Sequence, residues 1–186
     1  MLLGNIHPAL QLEVLDQVQR PRLVVADTMN FWIGRAQAPR RGAEARRRPR
    51  DQRRGGAPAL RLHQHPQGRA GDHARGPKRL IIKRGEHGAL FFDEHGVFAA
   101  PGFPLEDVVD PTGAGDSFAG GFMGYLATQP EVTSLALRRA MIHATATASF
   151  CVEAVGTKRV AEVTRADVAA RVAAIRALYD FGAHTM

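Results

Sequence analysis

Residues 108–122 read VVDPTGAGDSFAGGF, and the way the backbone must pass through this stretch decides how the rest of the chain is read. Gly113 and Gly115 allow a tight turn and let the backbone approach a ligand with no side chain in the way. The longer text LEDVVDPTGAGDSFAGGFMGYLA, 105–127, reads as strand, glycine loop and helix, with the helix opening near Asp116. Amides around Ala114, Gly115 and Asp116 would then face whatever binds there, because a helix amino terminus carries N–H groups without intrahelical acceptors. Asp116, ionised at neutral pH, could accept a proton from a hydroxyl attacking a bound phosphoryl group. It could equally cap the helix through its side chain, and the residues alone leave both roles open.

Upstream, KRLIIK (78–83), ALFF (89–92) and VFAA (97–100) predict three strands separated by the turns RGEHG and DEHG. Downstream, residues 132–154 predict a long helix and residues 163–181 an amphipathic one. Thr164 is the expected N-cap of that last helix, and Val168, Val172, Ile175 and Leu178 share a face. Near the start, PALQLEVLDQV predicts a short amphipathic helix and RLVVAD a buried strand ending in Asp27, followed by the loop DTMNFW. The lone cysteine, Cys151, lies in the long helical run and reads as a small buried residue rather than a nucleophile.

With these elements in order, VVDPTGAGDSFAGGF closely resembles the signature of the ribokinase-like (PfkB) carbohydrate kinases. KRLIIKRGEHGALFF is similar to the strand, K-x-G-x-x-G turn and strand beside that family's nucleotide, and AMIHATATASFCVEAVGT to the helix and loop flanking the adenine. GNIHPALQLEVLDQV and RLVVADTMNFW resemble the elements that precede the family's nucleotide half. The resemblance implies an α/β fold, the Rossmann-like three-layer α/β/α ribokinase fold, of which this chain would hold an incomplete, carboxy-terminal, nucleotide-binding portion. It implies that Asp116 is the catalytic base and that Gly113, Ala114 and Gly115 form an anion hole. By the same resemblance Lys83, Gly85, Gly88 and His143 line the nucleotide, while Asp110 and Thr112 support the loop and a monovalent cation. The implied cofactors are ATP and Mg²⁺, with K⁺ as the candidate monovalent ion. The implied acceptor is a small hydroxyl-bearing molecule, with hexose, pentose and nucleoside all open.

Residues 34–75 are of a different character. They hold 12 of the 25 Lys and Arg residues and only three acids, whereas the remainder of the chain is slightly acidic. The net charge of +7 therefore belongs to this one segment. It has no aromatic or β-branched residue and only two leucines, so it is expected to stay disordered as written. The family's N-x-x-E motif, associated with Mg²⁺ and phosphate, should fall between Trp32 and Gly76 and is not there; the metal ligands are accordingly left unassigned. Codons available for DQRRGGAPA, read one base out of register, encode INDEEARQ, which carries N-x-x-E. The same shift lets RRRPR encode a strand such as VDVLV and QGRAGDH a helical run such as KAARAIM. The expectation is an out-of-frame segment between residues 1–33, a partial α/β core, and 76–182, the nucleotide-binding and catalytic portion.

Two other function classes compete with a phosphotransferase in truncated, inactive form. One is a nucleic-acid-binding protein using the arginine-rich segment, and the other a noncatalytic nucleotide-binding remnant. The arginine segment lacks aromatic residues on which bases could stack, so no specific nucleic-acid partner is expected. No apolar run reaches the ~18 residues that a membrane span needs, and the first residues lack the basic leader of a signal peptide. The expectation is a soluble, cytoplasmic protein with no membrane partner.

Overall fold

The computed structural model describes residues 1–4, 6–28, 59–63, 79–180 and 182. The chain divides into two compact units, Met1–Ile82 and Lys83–Met186. In the first, four strands lie side by side in chain order: β1 (Leu2–Leu3), β2 (Val24–Thr28), β3 (Ala59–His63) and β4 (Arg79–Lys83), all parallel. Parallel neighbours need crossover connections, and the first of these contains helix α1 (Pro8–Gln17). Its N-cap is His7, whose Nδ1 accepts from the Ala9 N–H at 3.2 Å, and proline at the first position suits a helix start. The strand run LVV is buried, with Val25 fully enclosed. Of the apolar residues expected to share a face of α1, Leu10, Leu12, Val14 and Val18 are exposed among the described residues and Leu15 is half-buried.

Strand β3 corrects the expectation that residues 34–75 contain no ordered element. The segment's two leucines stand at 60 and 62, the alternation that a strand needs. The register sets Leu60 opposite Val25, and Leu62 opposite both Asp27 and Ile81. Apolar strands on either side supply the backbone partners that composition alone does not reveal. The sites of the missing N-x-x-E motif and of the rest of the arginine-rich run lie outside the described residues.

The second unit opens with a single 3₁₀ turn at Gly85–His87 and a hairpin, β5 (Ala89–Asp93) and β6 (Gly96–Ala100). The antiparallel register runs from Ala89 opposite Ala100 to Asp93 opposite Gly96. Helix α2 (Ala114–Ala127) then packs against α3 (Ser134–Cys151), followed by a short α4 (Lys158–Glu162) and α5 (Arg165–Leu178). The two long helices approach closely at Gly121, where a Cβ would lie 2.5 Å from Thr147 Oγ1 and 3.1 Å from Ala144 Cα. Ala136, Ala140 and Ala144 of α3 are buried, and Phe122 of α2 and Met141 of α3 are fully enclosed. Thr133 caps α3, its hydroxyl accepting from the Ala136 N–H. Thr164 and Asp167 form a complete capping box on α5, as the sequence leads one to expect for Thr164. On the expected face of α5, Ile175 is buried but Leu178 is 52% exposed. No helix among the described residues is long and apolar enough to cross a membrane.

The expected strand ahead of the glycine loop does not form. Val108 and Val109 are exposed, and the N–H groups of Val109 and Asp110 donate to the Val152 carbonyl at 2.8 and 3.3 Å. Their hydrogen bonds go to the end of a helix rather than to a neighbouring strand. Prolines at 101, 104 and 111 remove further donors from the same stretch.

Candidate active site

The helix after the glycine loop begins at Ala114, two residues earlier than expected. Gly113 is its N-cap, with φ 81° and ψ −3°, a left-handed conformation that favours glycine. A glycine N-cap offers no side chain to the helix, so among the described residues Gly115 and Asp116, at the second and third helical positions, have amides with neither an intrahelical nor a capping side-chain acceptor. The Ala114 N–H is taken up by the Pro111 carbonyl at 3.2 Å, and the Ser117 N–H closes the first helical bond onto Gly113 at 2.8 Å. Asp116 is exposed and, among the described residues, makes no capping hydrogen bond. Its carboxylate stands over the partly positive end of α2.

Several contacts hold the loop in this shape. The Asp110 carboxylate accepts from the Thr112 N–H at 2.9 Å. Hydrogen bonds from Thr112, with a further one from the Gly156 amide, hold this carboxyl below its usual range against a small opposing effect of burial. The Cys151 thiol donates to the Thr112 carbonyl at 3.5 Å, and the Val152 carbonyl receives Val109 and Asp110 as described. Cys151 is thus the small buried residue expected, packed beneath the loop, where a Cβ on Gly113 would come within 3.6 Å of its sulfur.

Lys83 is buried, 7% exposed, and its ammonium donates to the Gly115 carbonyl at 3.5 Å, inside the first turn of α2. A lysine ending a strand is ordinarily solvated, so its enclosure against this turn is the feature that the sequence does not reveal. In the turn that follows, the Arg84 N–H donates to the Gly88 carbonyl at 2.7 Å. Gly85 and Gly88 both have positive φ, 61° and 79°. A Cβ at Gly88 would lie 2.2 Å from the Ala100 carbonyl oxygen, whereas one at Gly85 would meet nothing within 4 Å.

His143 stands eight residues before Cys151 on α3, about 12 Å along the helix axis. It stacks on Tyr125 of α2, ring centroids 4.3 Å apart and planes at 28°. Burial lowers its pKa, so the neutral ring dominates at pH 7. The structure therefore brings Asp110, Thr112, Gly113, Ala114, Gly115, Asp116 and Lys83 together at one helix end, with His143 on a separate part of the α2–α3 pair. Sequence reasoning missed Tyr125, Val152 and Gly156. Tyr125 and His143 are separated by 18 positions on two helices, and no local spacing rule joins them. Among the described residues no three histidine, cysteine or carboxylate side chains cluster as a metal site.

The family model for the pfkB family carbohydrate kinases matches residues 66–164, just over half of the chain. The match begins ahead of the Gly76 boundary at which the motifs suggest that family-like sequence resumes. Over 74 residues the chain is 47% identical to the cytidine kinase of Thermococcus kodakarensis, an alignment covering 37% of this chain and 26% of that protein. The nucleoside kinase of Methanocaldococcus jannaschii superposes with a TM-score of 0.66 at 20% identity, covering 93% of this chain and 55% of that one. The aminoimidazole riboside kinase of Salmonella enterica, in complex with aminoimidazole riboside and an ATP analog, superposes with a TM-score of 0.56 at 23% identity, covering 81% and 52% respectively. The structural likenesses show the ribokinase-like fold, and the chain spans about half the length of those solved structures and about a quarter of the cytidine kinase. On the family match over residues 66–164, together with the DPTGAGD loop it contains, the chain belongs to the pfkB family of carbohydrate kinases.

Proposed function

We propose that this chain provides the nucleotide- and phosphoryl-handling part of an ATP-dependent kinase that phosphorylates a hydroxyl of a sugar or nucleoside-like acceptor, in the three-layer α/β/α fold of its family. The observation that carries the reading is the start of α2: a left-handed Gly113 followed by amides at Gly115 and Asp116 without intrahelical acceptors, beside an exposed carboxylate. An acceptor O–H bound there gives its proton to Asp116 while its oxygen attacks the γ-phosphorus of ATP. The bond from phosphorus to the β–γ bridging oxygen breaks, and ADP leaves with that electron pair. Charge developing on the transferred group faces the Gly115 and Asp116 amides, where one well-aimed donor contributes about 3 kcal/mol of transition-state stabilisation. Lys83 holds the first turn in place from below.

Mg²⁺ supplies charge neutralisation on the phosphates when bound with ATP. Asp110 and Thr112 offer a carboxylate and a carbonyl oxygen suited to a hard monovalent cation such as K⁺. Lys83, Gly85 and Gly88 are assigned to the nucleotide side, with neutral His143, stacked on Tyr125, toward the adenine. The 47% identity to a cytidine kinase supports a nucleoside-like acceptor. The full chain is expected to bind ATP in titration calorimetry, and Asp116→Ala to leave that affinity within about threefold. Phosphotransfer from ATP to cytidine, ribose or fructose, wherever it is detected, should fall at least about a hundredfold in Asp116→Ala. No ATP binding at all, or phosphotransfer indifferent to Asp116→Ala, would sink the reading.

A further inference from the structure

We infer that Arg171 is a positioning residue for the phosphoryl-transfer loop, acting through the carboxy-terminal end of α3; its functional meaning rests on the phosphotransfer reading above. Arg171 projects from α5 and its side chain is only 15% exposed. Its guanidinium lies between two rings, 4.0 Å from the centroid of Phe150 and 4.3 Å from that of Phe103. It donates to Ser149 Oγ at 2.8 Å and to Glu153 Oε1 at 2.7 Å. The other Glu153 oxygen accepts from Arg159 Nε at 3.0 Å. Burial opposes the charge on Glu153, but hydrogen bonds and attraction from Arg171 and Arg159 outweigh it and hold this carboxyl below its usual range.

The residues that Arg171 grips interleave with those that grip the loop. Ser149, Phe150 and Glu153 turn toward Arg171, while Cys151 and Val152, between them, receive the loop at Thr112, Val109 and Asp110. Phe103 is the second point of control, because it lies on the chain leading into the same loop. One guanidinium thus braces both the approach to the loop and the helix end that anchors it, while the capping box and buried Ile175 secure α5 itself. The geometry suits arginine and not lysine: a planar group with several donors can stack on two rings and still bond in its own plane, whereas an ammonium cannot.

Hydrogen exchange followed by mass spectrometry on the full chain tests this. In Arg171→Met, peptides covering residues 105–113 should exchange about tenfold faster, while those of the 89–100 hairpin stay within about twofold of wild type. Arg171→Lys, which keeps the charge without the double stack, should fall between the two, and it decides the matter by the same peptides if Arg171→Met does not fold. Unchanged exchange in 105–113 overturns the inference, and so does an equal rise in the hairpin, which would make Arg171 a general stabiliser. Exchange is read without turnover, so failure of the phosphotransfer assay would leave this result standing, and the reverse also holds.

Discussion

Substituting alanine at each glycine of the 84–88 turn separates two reasons for having a glycine, and the structure assigns them different magnitudes. At Gly85 φ is 61° and a Cβ would meet nothing, so Gly85→Ala should cost only the left-handed backbone penalty, about 1–2 kcal/mol. At Gly88 φ is 79° and ψ −139°, a conformation confined almost entirely to glycine, costing roughly 1–3 kcal/mol for any other residue. There a Cβ would also lie 2.2 Å from the Ala100 oxygen, 2.5 Å from the Gly102 nitrogen and 2.6 Å from the Pro101 carbonyl carbon. All three are backbone atoms that cannot swing away, and overpacking of this kind adds roughly another 1–3 kcal/mol. The contact is reciprocal, since a Cβ at Gly102 would come within 2.1 Å of the Glu86 oxygen. Gly88→Ala should therefore destabilise by about 2–6 kcal/mol in total, several degrees of melting temperature beyond Gly85→Ala. Thermal unfolding followed by circular dichroism on the wild type and both variants reads this directly. Equal melting temperatures for the two variants would refute the close backbone approach at Gly88 and the reasoning built on it.

Four further outcomes are expected. Glu153 has a folded-state pKa below its unfolded value, so its contribution is fully present above the ordinary glutamate range near ~4.3 and is lost as pH falls through the lower folded value; Glu153→Gln should flatten that part of the acid limb in urea titrations at stepped pH, and an unchanged limb would contradict the pairing. Tyr125→Ala should raise the His143 pKa, read from its imidazole NMR signal, because removing the stacked ring lets water reach a group whose charge burial now opposes. Thr164→Ala should cost about 1 kcal/mol in chemical denaturation by removing one half of the capping box, and a change below a few tenths would mean that α5 does not depend on its cap. Sequencing the coding DNA should reveal a one-base shift across codons 34–75 that restores N-x-x-E, and a frame that restores nothing would end that explanation of the arginine-rich run.

The local elements were legible in the sequence because each rests on neighbours a few positions away. Thr164 just ahead of a periodic run announces an N-cap, the apolar runs at 79–83 and 89–92 announce strands, and the glycines of DPTGAGD announce a turn entering a helix. Where reading by local pattern failed, the deciding partner was distant in sequence. Residues 105–109 carry the valines of a strand, yet Val109 and Asp110 bond to Val152, more than forty positions on. Residues 59–63 lie in text too poor in apolar residues to predict an element, yet they pair with β2 and β4. The periodicity of α1 suggests a covered face, but only a neighbour can cover one.

By itself, then, the sequence determined the family signature and the backbone character of the glycine loop, since left-handed glycine and helix-end amides follow from residue types at adjacent positions. It could not determine that the helix starts at Ala114, which leaves Asp116 exposed at the third position instead of serving as the cap. Nor could it show that Lys83 is enclosed against Gly115, that His143 rests on Tyr125, or that Arg171 braces the helix end beneath the loop. Those depend on contacts between residues 18 to 68 positions apart, for which chain spacing carries no signal, and they are set when the helices and the hairpin pack.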